Sequence, residues 1–176
     1  MKHRVEGIDE KIAGANWDGN VEFLRKMSDS GQFNPLKVTP KEQWNYLHKS
    51  NLINPSPAET IRFYLDCGVS VNAQDIYGRT PLHYAMQNKN GNAALLLLEA
   101  GANPNTPDID NITPLGMIGY IPERMDVLQA MLNNGGNVHY KNANSDLEII
   151  ELLKIMLNEY HMEYLRPIIK LMEKYI

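Results

Sequence analysis

Asp75-Ile76-Tyr77-Gly78-Arg79-Thr80-Pro81-Leu82 recurs, at an offset of 33, as Asp108-Ile109-Asp110-Asn111-Ile112-Thr113-Pro114-Leu115. Two further landmarks keep that spacing. Leu98-Glu99-Ala100-Gly101-Ala102-Asn103 follows Leu65-Asp66-Cys67-Gly68-Val69-Ser70 at the same offset, and so does Asn105 after Asn72. A third copy of the closing landmark, Leu132-Asn133-Asn134-Gly135-Gly136-Asn137, comes one position later than that offset requires, so a single residue is inserted. A fixed period of this length marks a repeat architecture in which each unit is one supersecondary element.

Each landmark has a physical job. Thr80-Pro81 and Thr113-Pro114 read as helix starts, because Thr caps orphan amides and Pro suits the first helical position. Leu82, Ala85 and Met86 then share one face. Ala93 to Leu98 reads as a second, apolar helix, stopped by Gly101 in a left-handed conformation. Asn103 to Asp108 cannot continue a helix and reads as a turn. The unit is helix, turn, helix, glycine stop and projecting turn.

These residues resemble the ankyrin repeat family. Its core pattern stands at Asp75, Gly78, Thr80, Pro81, Leu82 and His83, and its closing pattern at Leu98, Gly101, Ala102 and Asn105. The match is full over 75–107, good over 108–141, partial over 37–74 and only patterned at the two ends. The second copy departs at Asn111, where the family has Gly, and at Gly116, where it has His. The resemblance implies an all-α solenoid with projecting β-turn or hairpin loops and a structural His83 that bonds near Thr80 and across to the next repeat.

Outward from the clear repeats, Thr39-Pro40 reads as a helix start leading into Trp44, Tyr46 and Leu47. About eight extra residues would then lie near His48 to Pro57, as a longer loop. Ile8, Ile12 and Ala15 suggest a first helix, and Val21, Phe23, Leu24 and Met27 a second ending near Gly31. Asp146 to Tyr160 and Pro167 to Tyr175 read as the last two helices, with the altered residues of a terminal repeat. The expectation is one domain over 1–176 with units at 1–36, 37–74, 75–107, 108–141 and 142–176.

The chain has 176 residues and a net charge of −4, which opposes general nucleic-acid binding. Cys67 is the single cysteine, so no internal disulfide or cysteine metal cluster is available. Asp66 beside it opposes thiolate formation, and packing is its expected role. His48, His139 and His161 show no metal-ligand spacing, and His139 takes the place of Asn72 and Asn105 as turn support. Asp108-Ile109-Asp110-Asn111 lacks the Gly and distal Glu of a calcium loop. Asn90-Gly91-Asn92 is not a phosphate loop. No cofactor and no catalytic residue is expected. The methionines are expected to fill core, with Met117, Met156 and Met162 open to a surface role. The basic start Met1-Lys2-His3-Arg4 has no apolar stretch behind it, so no signal peptide is read and a cytoplasmic location is expected. The longest apolar run, Ala93 to Leu98, is too short to span a membrane.

Function is sought at positions the pattern does not need: Ile76, Tyr77, Arg79, Gln87 and Asn88 in one unit, and Ile109, Asp110, Ile112, Tyr120 and Ile121 in the next. The resemblance implies a non-catalytic module that binds a protein partner through its concave face and hairpin tips. Tyr77, Arg79 and Tyr120 would be anchors. An adaptor, inhibitor, immunity partner or effector would fit, as a monomer without nucleic acid or membrane. Asn51, Leu52 and Ile53 in the inserted loop are further contact candidates. The alternative is an enzyme, or a small-molecule or lipid sensor, with a site in that loop or in the C-terminal helices.

Overall fold

The structure, a computed structural model, describes residues 7–52, 55–141 and 146–176. Met1 to Glu6 and Ile53 lie outside the described residues. The helices are α1 (Ile8–Asp18), α2 (Val21–Asp29), α3 (Tyr46–Lys49), α4 (Ala58–Asp66), α5 (Pro81–Gln87) and α6 (Gly91–Glu99). A 3-10 turn (Leu115–Tyr120), α7 (Met125–Asn133), α8 (Ile149–Glu159) and α9 (Arg166–Met172) follow, with short 3-10 turns on either side of α9. Among the described residues there is no sheet, and an isolated antiparallel bridge joins Lys141 to Glu148.

Why α5 starts where it does is visible at Thr80. Its backbone is extended (φ −92°, ψ 166°), and Pro81 takes the first helical position, where an amide would have no partner. His83 then closes the turn. Its Nδ1 accepts the Thr80 backbone N–H at 3.0 Å, and its Nε2 lies 3.0 Å from the Ile112 carbonyl oxygen. Because Nδ1 accepts, the ring proton sits on Nε2, which donates to Ile112. One imidazole thus fixes a helix start and bonds the backbone of the next unit.

His48 does the same one unit earlier. Its Nδ1 lies 3.2 Å from the Asn45 backbone nitrogen and 2.8 Å from Asn45 Oδ1, and its Nε2 lies 3.0 Å from the Arg79 carbonyl oxygen. Asn45, also extended, accepts the His48 N–H at 3.1 Å and caps α3. This corrects the reading of Thr39-Pro40 as a helix start. Thr39 instead opens the turn: its Oγ1 accepts the Trp44 N–H at 2.9 Å. The turn needs a positive φ where the next unit has Gly78. Gln43 supplies it at 59°, as Asn111 does at 57° one unit on. With the start at Asn45, the step to Gly68 is only slightly longer than the step from Thr80 to Gly101. The expected long insertion therefore shrinks to a small one, because the helix begins later than Thr39-Pro40 suggested.

A second departure lies at Gly116, where the third imidazole is missing. Thr113 Oγ1 still accepts the Gly116 N–H at 3.2 Å. Gly116 and Gly119 are poor helix formers, and Leu115–Tyr120 tightens into a 3-10 turn instead of the expected α-helix. A 3-10 turn advances about 120° per residue against about 100° in an α-helix. Over this stretch the side chains swing round, and Ile121 ends fully buried.

Packing follows from these starts. Leu82, Ala85, Met86, Leu97, Leu115, Leu128 and Met131 are fully buried, each unit covering its neighbour's apolar face. The second helices form an unbroken row, with α2 on α4, α4 on α6, α6 on α7 and α7 on α9. In the first row α3 packs on α5, and α5 on the 3-10 turn. An asparagine ladder runs alongside. Asn72 Oδ1 accepts the Asn103 N–H at 2.8 Å while its amide donates to the Gly101 carbonyl. Asn105 repeats both bonds with Asn137 and Gly135. His139 sits at the next such place and pairs with Glu148 at 2.6 Å. Met131 and Met172 are core, Met117 is buried, and Met156 and Met162 pack partly buried against it.

Burial holds the His48 and His83 imidazoles below the ordinary histidine range, against the pull of the carbonyls they bond. An unfolded histidine takes up its proton near pH 6.5, so below that pH the unfolded chain binds more protons than the folded one. The stability these rings give is complete above pH 6.5 and is lost as pH falls toward their depressed folded values. The melting temperature should therefore drop between pH 7.5 and 5.5, and the His48→Gln/His83→Gln variant, though less stable, should show a flatter profile. Replacing His83 by Ala should cost about 2–4 kcal/mol in urea unfolding, because two buried backbone groups lose partners.

Candidate functional site

The turns at residues 39–44, 75–79 and 108–112 project side by side, and each is locked by its first residue. Asp75 Oδ1 accepts the backbone N–H of Tyr77 and of Arg79, both at 2.9 Å. Its Oδ2 accepts Trp44 Nε1–H at 3.0 Å and the Tyr84 hydroxyl at 2.6 Å. Burial raises the carboxyl's pKa, but these donors outweigh it and hold the group below the usual carboxylate range. Burial and the same carboxylate push Tyr84 up to about 12. Asp108 repeats the design: Oδ1 accepts the Asp110 and Ile112 N–H groups, and Oδ2 takes Arg79 Nε at 3.2 Å.

Adjacent tips also bond through their backbones. The Ile76 N–H donates to Glu42 at 3.2 Å, and the Ile109 N–H to Tyr77 at 2.9 Å. Gly78 lies so close to the next tip that a Cβ there would stand 3.2 Å from Asp108 Cα, and its φ is +70°.

Several expected contact residues face solvent, on these tips and on the helices that follow them. Ile76 is 45% exposed, Tyr77 46%, Ile109 68% and Tyr120 53%. Gln87 and Asp110 are exposed, and Arg79 reaches back from its tip to Gln87 Oε1 at 3.2 Å. The rest are not presented in this way. Ile121 is core, the correction its rotation in the 3-10 turn explains. Asn88 donates to the Asn51 carbonyl at 2.7 Å and serves the structure. Asn51 is itself buried, and Ile112 is half-buried against the core. Cys67 is half-buried. Burial, then Asp66 and Asp29, push its thiol up despite Arg25.

Two cavities open where the first row parts. One, of about 730 Å³, lies between α1, the first tip and α3. Trp17, Trp44, Lys37 and Lys49 line it, as does Ser56, whose hydroxyl is buried without a partner among the described residues. The other, of about 250 Å³, lies between the 3-10 turn and α8 and is walled by Gly116, Gly119, Ile149 and Leu152. Neither was legible in the sequence, since Trp17 and Gly119 belong to no pattern. Among the described residues no three His, Cys, Asp or Glu side chains are grouped to hold a metal ion, and no helix is long and apolar enough to cross a membrane.

The family model for ankyrin repeats, in three copies, matches residues 14–108 and 47–142. The chain belongs to the ankyrin repeat family. Curated relatives agree. An ankyrin repeat protein of fowlpox virus (strain NVSL) is 31% identical over 49% of this chain and 12% of its own length. One of Rickettsia bellii (strain RML369-C) is 31% identical over 51% of this chain and 30% of its own. The ankyrin repeat and SOCS box protein 3 of Bos taurus is 30% identical over 56% and 18%. This ankyrin repeat chain thus spans less than a third of the length of those relatives. Ankyrin repeats are generally protein-interaction modules and typically non-enzymatic.

Asp75→Asn should test the bracing of the tips in this ankyrin chain. The amide keeps the shape but brings N–H donors to a site already holding four. The loss should be about 2–4 kcal/mol, read by urea unfolding together with a changed Trp44 emission. Because Asp75 is depressed, its contribution is present above the unfolded carboxylate pKa of about 3.9 and vanishes only as pH falls through the lower folded value.

Proposed function

We propose that this ankyrin repeat chain is a non-catalytic module that binds a protein partner as a monomer, through its concave face and hairpin tips. The observation that carries this reading is the row of exposed apolar side chains Ile76, Tyr77 and Ile109 on tips whose backbones are already fixed. Large apolar side chains held on rigid backbone lose little entropy on binding, which favours anchors of this kind. Arg79, tied to Asp108 and Gln87, gives the row a charged edge. Arginine and tyrosine are the residue types that dominate interface energetics. The net charge of −4 suits a protein partner better than a phosphate backbone. Recruitment, inhibition or neutralisation of the partner are the roles such a surface serves.

The partner is to be captured from the source organism, and its affinity measured against wild type, Tyr77→Ala and Ile109→Ser. Each variant should weaken binding roughly tenfold or more and leave the melting temperature within about 2 °C, because both side chains are exposed. Unchanged affinity in both would remove the tips from the interface.

A further inference from the structure

The cavity between the 3-10 turn and α8 exists because side chains are missing from one of its walls. Gly116 stands where the two preceding units have His83 and His48. At Gly119 an added Cβ would meet no atom within 4 Å. The facing wall is Ile149 and Leu152, Leu165 is buried at the base, and Tyr120 and Tyr164, each about half exposed, flank the opening. The groove is thus apolar, with room for one or two large apolar side chains.

Its surroundings are acidic. Residues 99–176 carry eleven acidic and six basic residues, whereas residues 1–98 carry ten and eleven. Asp146 and Glu151, both exposed, stand next to lining residues in the chain. Of the basic side chains on α8 and α9, Lys154 and Arg166 are each paired with a glutamate, Glu173 and Glu163, and Lys170 is exposed. Basic flanks on an incoming segment would meet this field favourably, and acidic ones would be repelled.

We propose that this groove is a docking slot for a basic peptide segment of a partner protein, which seats a bulky aliphatic or aromatic side chain between Tyr120 and Tyr164 and places Lys or Arg against the acidic rim. The proposal rests on the protein-binding reading and adds a second contact region, distinct from the tips, with a stated ligand chemistry. Gly119 makes it testable, since a large side chain there fills the slot without displacing an existing one.

The test uses random peptides displayed on phage and selected on the wild-type chain, with the enriched sequences then synthesised and titrated. The enriched peptides should carry Lys or Arg around Leu, Ile, Met, Phe or Trp. Gly119→Trp should bind them roughly tenfold more weakly, the equivalent of one buried apolar side chain. Asp146→Lys should weaken them about threefold, an effect that shrinks in high salt. This surface variant leaves the groove walls intact, so it decides the matter if Gly119→Trp does not fold. Failure to enrich peptides, or enrichment of acidic ones, overturns the proposal. Peptides that lose affinity on Tyr77→Ala but keep it on Gly119→Trp and Asp146→Lys also overturn it, while sparing the tips. The reverse pattern upholds the slot and removes the tips.

Discussion

An imidazole that accepts from the backbone of its own turn can donate from its other nitrogen to the backbone of the next unit, and it can do both only while neutral. His83 and His48 are placed to do this, with the ring wedged between a helix start and a neighbouring carbonyl. The bond is worth more than its own energy. It holds the projecting turns in register, so that Ile76 meets Glu42 and Ile109 meets Tyr77 along the row of tips. The carboxylates of Asp75 and Asp108 then gather the remaining amides of each tip, leaving few unsatisfied groups on a strained, exposed element. The asparagine ladder through Asn72 and Asn105 secures the other end of each unit in the same manner.

Where this linkage stops, the first row of helices opens. At Gly116 the ring is gone, the helix tightens into a 3-10 turn, and space is left against α8. Near the start of the chain α3 is a single turn, and a larger cavity lies between it and α1. The second row stays closed throughout, so the core survives both openings. Exposed apolar side chains on braced tips, and an unfilled slot against α8, are the features on which the proposed partner binding rests.

Much of the fold was legible because the chain repeats its own constraints. Thr80, Pro81, Leu82, Gly101 and Asn105 each serve a backbone need that recurs from unit to unit, and each need admits few residue types. Reading failed where a different residue met the same need. Asn45 opens α3 as Thr80 opens α5, and Gln43 adopts the positive φ of Gly78, so the true start was hidden behind Thr39-Pro40, which only imitates one. The pair Leu47-His48 carried the signal, standing one unit before Leu82-His83. Ile121 was misplaced for another reason: its face depends on helix type, and two glycines changed that type locally. The surface residues were the least legible. Asn88 and Tyr77 look equally free in sequence, and only packing shows one bound to Asn51 and the other facing solvent.

The central claim is that neutral His48 and His83 join the units through Nε2. Long-range proton–nitrogen correlation spectra of the histidine rings, recorded from pH 8 downward, address it directly. The account predicts that both rings carry their proton on Nε2 and stay neutral in the folded protein as pH falls through 6.5. A ring protonated on Nδ1, or one that titrates near pH 6.5 while the fold persists, would contradict it.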